Sequence, residues 1–305
     1  MALAVSLMIE GQDGVNWPRW KRLAQAAEDL GFAGLYRSDH YTNPAGDLQD
    51  ALELWTSLTW LASHTSRISF GPVVSPVSFR DPRVTAWTAA AIDDLSGGRL
   101  RLGLGAGWQE REHAMFGYDL LDTEDRFVRF TEGLEVVTRL LRNDGPVTFD
   151  GRFYQLQEAV LLPRPARAGG PPITIGGNGP KRTLPLAARF ADEWNGVYIP
   201  AGRFAELSGS LDGMLAREGR APGSLRRTLM NRVILADTES QLERKLKGAE
   251  VPALRERGVI VGGPDEVRER LAEFAVAGVE EIQLQWVDGL DDLDGIAELA
   301  RAAIG

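Results

Sequence analysis

The sequence predicts an α/β fold in which eight parallel strands close into a (β/α)8 barrel. Short apolar runs alternate with helical patterns along the whole chain, and no long polar linker interrupts them. With 305 residues, 44% of them hydrophobic and 25% charged, the chain can bury a core large enough for one such domain over 1–305. A doubly wound open sheet shows the same alternation and is the alternative.

The strands are predicted from short apolar runs bounded by glycine, proline or charged residues. The first run is almost wholly apolar, which is typical of a parallel strand buried on both faces. The eight predicted strands are 3–9, 34–37, 67–74, 100–104, 173–176, 193–199, 229–235 and 281–285.

The helices are predicted from apolar residues that recur every three or four positions. In the first helix these are Trp20, Leu23 and Ala27, and Gly31 provides the C-terminal stop. Pro82 lies just inside the start of the third helix, where its missing N–H costs nothing. The predicted helices are 17–30, 53–64, 81–95, 123–141, 182–190, 203–218, 239–256, 264–277 and 291–303, and an irregular stretch is expected before 123.

One segment does not follow the alternation. Asp150 and Gly151 lie between the β-rich runs 147–149 and 153–156, which is the pattern of a β-hairpin. We therefore expect an insertion over about 145–162 that lies outside the barrel.

Composition excludes several classes of function. The chain has no cysteine, so it has no disulfide, thiolate metal ligand or thiol nucleophile. Its net charge of −9 argues against nucleic-acid binding, which requires a basic surface. No run of eighteen apolar residues and no secretory signal is found, so we expect no membrane association and a cytoplasmic location.

Barrel enzymes bind ligands at the carboxyl ends of their strands, and Asp39 and His40 follow the second predicted strand. Because an imidazole has an ordinary pKa of about 6.5, His40 can transfer a proton near neutral pH. The alternative is a helix-capping Asp39 beside a structural histidine. His64 is expected at a solvated helix end and His113 on a loop or helix surface, and no metal site is predicted.

Two further strand ends carry glycine patterns. After the fourth strand, alternate glycines end in Gly107 and Trp108, so the backbone can approach a flat ligand that Trp108 would enclose. The alternative is a strand that simply packs tightly. After the fifth strand, the run 175–183 places small residues, Lys181 and Arg182 directly before a helix. Backbone N–H groups at such a helix start favour a phosphate, whereas an ordinary glycine-rich turn is the alternative.

These residues together resemble the luciferase-like flavin- and deazaflavin-dependent oxidoreductases, most closely the branch that uses coenzyme F420. The resemblance extends over nearly the whole chain. The matching segments are 38–40, 55–71, 80–82, 94–99, 103–108 with Glu110 and Glu112, 176–183, 191–195 and 262–266.

The resemblance implies a bacterial-luciferase-like TIM barrel with insertions, commonly a homodimer, and assigns roles to particular residues. Asp39 would contact the deazaflavin ring, and His40 would be the catalytic proton donor. Relatives have a non-prolyl cis peptide at the position of Val73 and Val74, which supports the ring, and Gly107 would border it. The phosphate-binding loop would consist of Gly177, Asn178, Gly179, Pro180, Lys181, Arg182 and Thr183.

One departure from the family pattern concerns the substrate. Sugar-phosphate dehydrogenases of this branch have a catalytic glutamate directly after the glycine pattern, where this chain has Trp108. Glu110 and Glu112 follow closely but are out of register with that position. The comparison therefore argues against glucose 6-phosphate as the substrate.

The resulting hypothesis is an oxidoreductase that transfers a hydride between F420 and a small organic substrate. An FMN-dependent luciferase-like monooxygenase is the alternative within the same family. A non-catalytic cofactor carrier and a metal-dependent barrel hydrolase are the alternatives from other classes.

Overall fold

Parallel strands form the wall of a barrel in the computed structural model, which describes residues 3–305. The strands are β1 (Ala4–Ile9), β2 (Gly34–Arg37), β3 (Ser69–Pro72), β4 (Ser75–Pro76), β5 (Leu102–Gly105), β6 (Val147–Asp150), β7 (Gln155–Ala159), β8 (Ile173–Gly176), β9 (Glu193–Val197), β10 (Arg226–Leu235), β11 (Ile260–Gly262) and β12 (Glu281–Gln285). The α-helices are α1 (Trp17–Asp29), α2 (Leu54–His64), α3 (Pro82–Leu95), α4 (Glu110–Phe116), α5 (Thr123–Arg142), α6 (Thr183–Phe190), α7 (Ala201–Arg217), α8 (Glu239–Leu246), α9 (Val251–Glu256), α10 (Pro264–Val276) and α11 (Leu293–Ala303).

The barrel strands follow the order β3-β2-β1-β12-β10-β9-β8-β5-β4, and each neighbouring pair is parallel. β3 and β4 replace the single predicted strand 67–74, because the chain bends at the cis peptide between Val73 and Val74. The gap in the barrel lies between the two ends of this order. Backbone hydrogen bonds of Phe70 in β3 span it: its N–H donates to Arg99 O at 3.2 Å, and its carbonyl accepts from Arg101 N at 2.8 Å. The predicted barrel is therefore confirmed, with one interrupted strand.

The main apolar core lies between the strands and the surrounding helices. Trp20, Phe32 and Trp194 are among its largest fully buried side chains. Inside the barrel, the amino-terminal end is polar: Arg226 Nη1 lies 3.2 Å from Glu193 Oε2 and 2.7 Å from Glu281 Oε2.

Above that polar layer, four side chains close the barrel interior. They are Met8, Tyr36, Val73 and Met230, and they form a small buried cluster of their own. Since Val73 and Met230 also line the large cavity at the carboxyl ends of the strands, this cluster is the floor of that cavity.

Four local predictions were wrong. The stretch expected to be irregular contains α4, and the predicted helix 239–256 is two helices, α8 and α9. The strand β11 was not predicted; it pairs with β10 outside the closed barrel. The hairpin lies outside the barrel sheet, but its strands are joined by four residues, 151–154, rather than by a turn at Asp150 and Gly151.

The connection of the hairpin is attached to the barrel by two carboxylates on α5: Asp125 Oδ1 lies 2.6 Å from Arg152 Nη1, and Glu132 binds the backbone. Glu132 accepts backbone N–H groups from Arg152 at 2.9 Å and from Phe153 at 2.7 Å. Within 3–305, no helix has the length and apolar character that crossing a membrane requires.

Candidate active site

His40 lies three residues beyond β2, and a buried carboxylate from a distant part of the chain fixes its ring. Glu112 on α4 has no exposed surface, and its Oε1 lies 2.7 Å from His40 Nδ1. Its Oε2 accepts the backbone N–H of Tyr41 at 2.8 Å. Both carboxylate oxygens are thus used to orient the His40 segment, and His40 Nε2 is left for other partners.

The environment of His40 favours its protonated form. Burial alone would lower its pKa, but the hydrogen bond and charge of Glu112, with smaller effects of Glu10 and Asp39, outweigh that cost. The pKa of His40 is therefore raised above the ordinary 6.5. A protonated imidazole that is held in this way can donate a proton to a ligand in the cavity.

Asp39 does not line the cavity. It is only 3% exposed, and its carboxylate accepts hydrogen bonds from Ser75 Oγ at 2.6 Å and from the guanidinium of Arg80. Arg80 also bonds Glu53 Oε1 at 2.8 Å. The carboxylate predicted to contact a cofactor ring therefore ties the end of β2 to the segment after β4.

Gly105 of β5 and Gly176 of β8 form a glycine wall that lies against Val74 of the cis peptide. A Cβ atom at Gly105 would lie 2.5 Å from Val74 Cγ2, and one at Gly176 would lie 3.0 Å from Val74 Cγ1. Only glycine lets β5 and β8 approach Val74 this closely. Gly107 has φ = +88°, so its backbone conformation also favours glycine.

The predicted anion loop is divided between two regions. Gly177 and Thr183 line the cavity, and Thr183 opens α6, whose amino terminus has no side-chain cap. Asn178 instead fixes the loop to β9: its Nδ2 donates to Val197 O at 2.6 Å, and its Oδ1 accepts from Val197 N at 3.0 Å. Gly179 O accepts from Thr183 N at 3.0 Å.

The remaining loop residues, Pro180, Lys181 and Arg182, are exposed. Lys181 and Arg182 line a neighbouring open groove of about 420 Å³, whose walls also include Glu124 and Glu132. Phe127 belongs to both the groove and the main cavity, and Arg182 Cζ lies 5.6 Å from the centre of its ring. The two cations are therefore beside the cavity rather than inside it.

The cavity has a volume of about 600 Å³ and opens at the carboxyl ends of the barrel strands. Its floor and one side are apolar, whereas His40 and Glu10 line another part of the wall. Trp108 covers the His40 side; it is 59% exposed, and its ring meets the imidazole edge-on at 5.6 Å between centres. Val73, Val74, Gly107, Trp108, Gly177 and Thr183 are the predicted cofactor-binding residues that line it.

The other two histidines differ from each other. His64 is exposed at the end of α2 as predicted, with Nδ1 2.7 Å from Trp60 O. The prediction for His113 was wrong: it is 2% exposed, with Nε2 2.8 Å from Ser78 Oγ and Nδ1 2.7 Å from Gln109 O. Across residues 3–305, no cluster of His, Asp or Glu has the composition of a metal site.

Glu112 is the residue whose role the sequence did not reveal. Its register relative to Trp108 excluded it from consideration, yet α4 places its carboxylate against an imidazole 72 positions earlier in the chain. The only signal for Glu112 in the sequence was the position of its carboxylate, in a polar run that follows a glycine-rich strand end. That signal does not specify which side chain the carboxylate will meet.

The fold is that of an α/β-barrel enzyme, with an imidazole fixed by a buried carboxylate and a glycine-lined wall at the mouth of the barrel. The model of the luciferase-like monooxygenase family matches residues 1–256. The chain therefore belongs to that family, and the predicted family is confirmed.

Similar proteins include both kinds of enzyme that the sequence suggested, a monooxygenase and an F420-dependent dehydrogenase. A 4-hydroxyprotoasukamycin monooxygenase of Streptomyces nodosus subsp. asukaensis is 30% identical over 208 residues, which is 68% of this chain but only 53% of the relative. An F420-dependent glucose-6-phosphate dehydrogenase of Kineococcus radiotolerans is 28% identical over 295 residues, covering 92% of this chain and 81% of the relative.

A solved structure shares the complete fold. An F420-dependent secondary alcohol dehydrogenase, in complex with an F420-acetone adduct, superposes with a TM-score of 0.84 over 100% of this chain and 99% of that one, at 19% identity. At that identity the similarity establishes the barrel architecture.

Proposed function

We propose that this protein is an oxidoreductase that transfers a hydride between coenzyme F420 and a small organic substrate. The observation that carries the proposal is the pairing of His40 with Glu112 on the wall of a cavity whose other side is glycine and a cis peptide. The proposal is further supported by the F420-dependent relative, which aligns over 92% of the chain.

The residues present fit a flat tricyclic ring. Side chains at Gly105 or Gly176 would displace Val74, so glycine at both positions keeps this side of the cavity open and even. Val73 and Met230 give the ring an apolar floor, and 600 Å³ accommodates a ring together with a small substrate. In this proposal Asp39 positions the β2 end through Arg80 and does not contact the ring.

The phosphate of the cofactor is assigned to the loop 177–183. Gly177 and Thr183 line the cavity where α6 begins, and a helix amino terminus favours an anion. Lys181 and Arg182 in the adjoining groove are available to the part of the cofactor beyond the phosphate. Asn178 contributes by holding the loop against β9.

His40 supplies or removes the proton that accompanies hydride transfer. The bound cofactor supplies the hydride chemistry at its ring. Glu112 holds the imidazole through Nδ1, so Nε2 is the atom that exchanges a proton with the substrate oxygen. Trp108 shields the imidazole from solvent on its outer side, and substrate reduction uses the protonated form that Glu112 favours.

The second candidate is an FMN-dependent monooxygenase of the same family. The observation that favours it is the Streptomyces relative named as a monooxygenase, at 30% identity. The same cavity, glycine wall and loop would serve a flavin ring and its phosphate.

Replacing His40 tests the proposed role directly. We expect His40→Ala to reduce turnover of F420 with an accepted substrate by about 10²–10⁴-fold, the usual effect of losing a proton-transfer group. The affinity for F420 should change much less, because the imidazole is one part of a large binding wall. Turnover is followed by F420 absorbance and affinity by fluorescence titration; unchanged turnover in His40→Ala would contradict the proposal.

We also infer a cytoplasmic homodimer. One face of α3 exposes Val84, Trp87 and Leu95, with exposures of 58%, 43% and 53%, and an apolar stripe of this kind favours association with a second chain. Light scattering after gel filtration should give about twice the chain mass of 33.4 kDa. A value equal to the chain mass would rule the dimer out.

A further inference from the structure

Beyond the proton-transfer pair, four polar side chains occupy the ends of four consecutive strands around the barrel mouth. Glu10 follows β1, Gln285 ends β12, Arg232 lies near the end of β10, and Tyr198 follows β9. Because β2, β1, β12, β10 and β9 are neighbours in this order, the polar arc begins next to His40 and ends across the mouth from it. The glycine wall and the cis peptide occupy the other half of the rim.

The arc is connected by specific contacts. Gln285 Nε2 donates to Glu10 Oε1, and Gln12 Nε2 donates to Glu10 Oε2 at 3.0 Å. Gln285 and Arg232 are paired residues of neighbouring strands. Each oxygen of the Glu10 carboxylate therefore already accepts a hydrogen bond from a side-chain amide.

The backbone holds Tyr198 in a conformation that bulky residues rarely adopt. Its φ is +50°, in the left-handed region. The next residue, Ile199, is held by Asn231, which accepts its N–H at 3.2 Å and donates to its carbonyl at 3.0 Å. Gly258 packs so closely that a Cβ there would lie 2.4 Å from Ile199 O. Several contacts thus maintain a strained residue on the cavity wall, which is typical of a functional position.

Arg232 is the cation of this arc. By strand alternation its side chain leaves β10 on the same side as that of Met230; Met230 and Tyr198 line the cavity, whereas Arg232 is not among the lining residues. It is close enough to Tyr198 to lower the pKa of that phenol, although burial and Glu10 raise the same pKa more strongly. Its Nε is buried without a hydrogen-bond partner, and among residues 3–305 no carboxylate lies within the ion-pair distance of 4.0 Å.

We propose that Arg232 and Tyr198 form a carboxylate-binding subsite, so that the substrate carries a carboxylate at the end remote from the carbon that reacts near His40. This inference rests on the proposed function for the position of the reacting carbon. One guanidinium and one phenol match a monoanion, whereas a phosphate dianion calls for more positive charge, especially near Glu10. A partly buried guanidinium without a protein partner gains most from such a ligand.

The test compares hexanoate with its neutral analogue hexanamide. Dissociation constants are measured by calorimetry for the free protein and for the F420-bound protein, in the wild type, Arg232→Met and the surface control Arg217→Met. We expect the wild type and Arg217→Met to bind hexanoate about tenfold or more tightly than hexanamide, and Arg232→Met to lose that preference. Tyr198→Phe should weaken hexanoate binding severalfold with little effect on hexanamide.

Equal binding of the two ligands by the wild type, no detectable hexanoate binding, or an unchanged preference in Arg232→Met would overturn the subsite. F420 binding is recorded separately by fluorescence. If F420 fails to bind while the carboxylate preference depends on Arg232, the proposed function fails and the subsite stands. If F420 binds without that preference, only the subsite fails.

Discussion

At the scale of single residues, the proposed chemistry depends on the imidazole of His40 and on its contact with Glu112. Burial of His40 opposes its positive charge, and Glu112 more than compensates. The pair also explains why α4 forms where the sequence has little apolar periodicity: the residues that α4 buries are polar, Glu112 and His113.

Substituting Glu112 should change the pH dependence of activity. The raised pKa of His40 keeps the imidazole protonated to higher pH, so substrate reduction is retained below that pKa and lost as pH rises through it. In Glu112→Gln the charge is gone while burial remains, so the loss moves to lower pH. We expect kcat/KM at pH 8 to fall about tenfold, with less change at pH 6.

The check is a full profile of kcat/KM against pH in the direction of substrate reduction. Glu110→Gln, at an exposed position two residues before Glu112, provides the matched control. Identical profiles for the wild type and Glu112→Gln would show that Glu112 does not control the proton on His40.

At the scale of elements, the site depends on how closely three strands pack around Val74. β5 and β8 both have glycine where they face its side chain, and β3 and β4 are separated by the cis peptide before it. The cavity wall is therefore a property of strand spacing as much as of side-chain chemistry.

Adding one methyl group at Gly105 tests whether this wall binds the cofactor. In Gly105→Ala the new Cβ would lie 2.5 Å from Val74 Cγ2, so Val74, which lines the cavity, must move to make room for it. We expect the dissociation constant of the cofactor to rise about tenfold while the protein still folds. Gly209→Ala, in an open position on α7, is the control and should leave binding unchanged. Fluorescence titration measures binding and circular dichroism the fold; equal affinity for both variants would contradict the assignment of this wall.

The sequence was sufficient for the regular elements and insufficient for contacts between distant ones. β2 and β8 were predicted to the residue, because each is a short, largely apolar run bounded by clear breaks. β11 was missed because its three residues pair only with the end of β10, outside the barrel. Glu112 was missed because no local pattern shows which side chain a buried carboxylate will meet across 72 positions.

At the scale of the whole molecule, apolar and polar residues lie on different sides of the opening of the barrel. On one side of the mouth, glycines, Val73 and Val74 line the cavity; on the other side, Glu10 and Tyr198, the two ends of the polar arc, line it. In the proposed function, the amino terminus of α6 holds the cofactor phosphate, and Lys181 and Arg182 line the adjoining groove together with Glu124 and Glu132. The ring, the phosphate and the substrate are then bound at different parts of the mouth.

The most direct measurement of the central claim is a fluorescence titration of the purified protein with F420 and, in parallel, with FMN. We predict saturable F420 binding that is tighter than FMN binding and that is weakened in Gly105→Ala. FMN affinity far above F420 affinity, or no binding of F420, would contradict the proposed function.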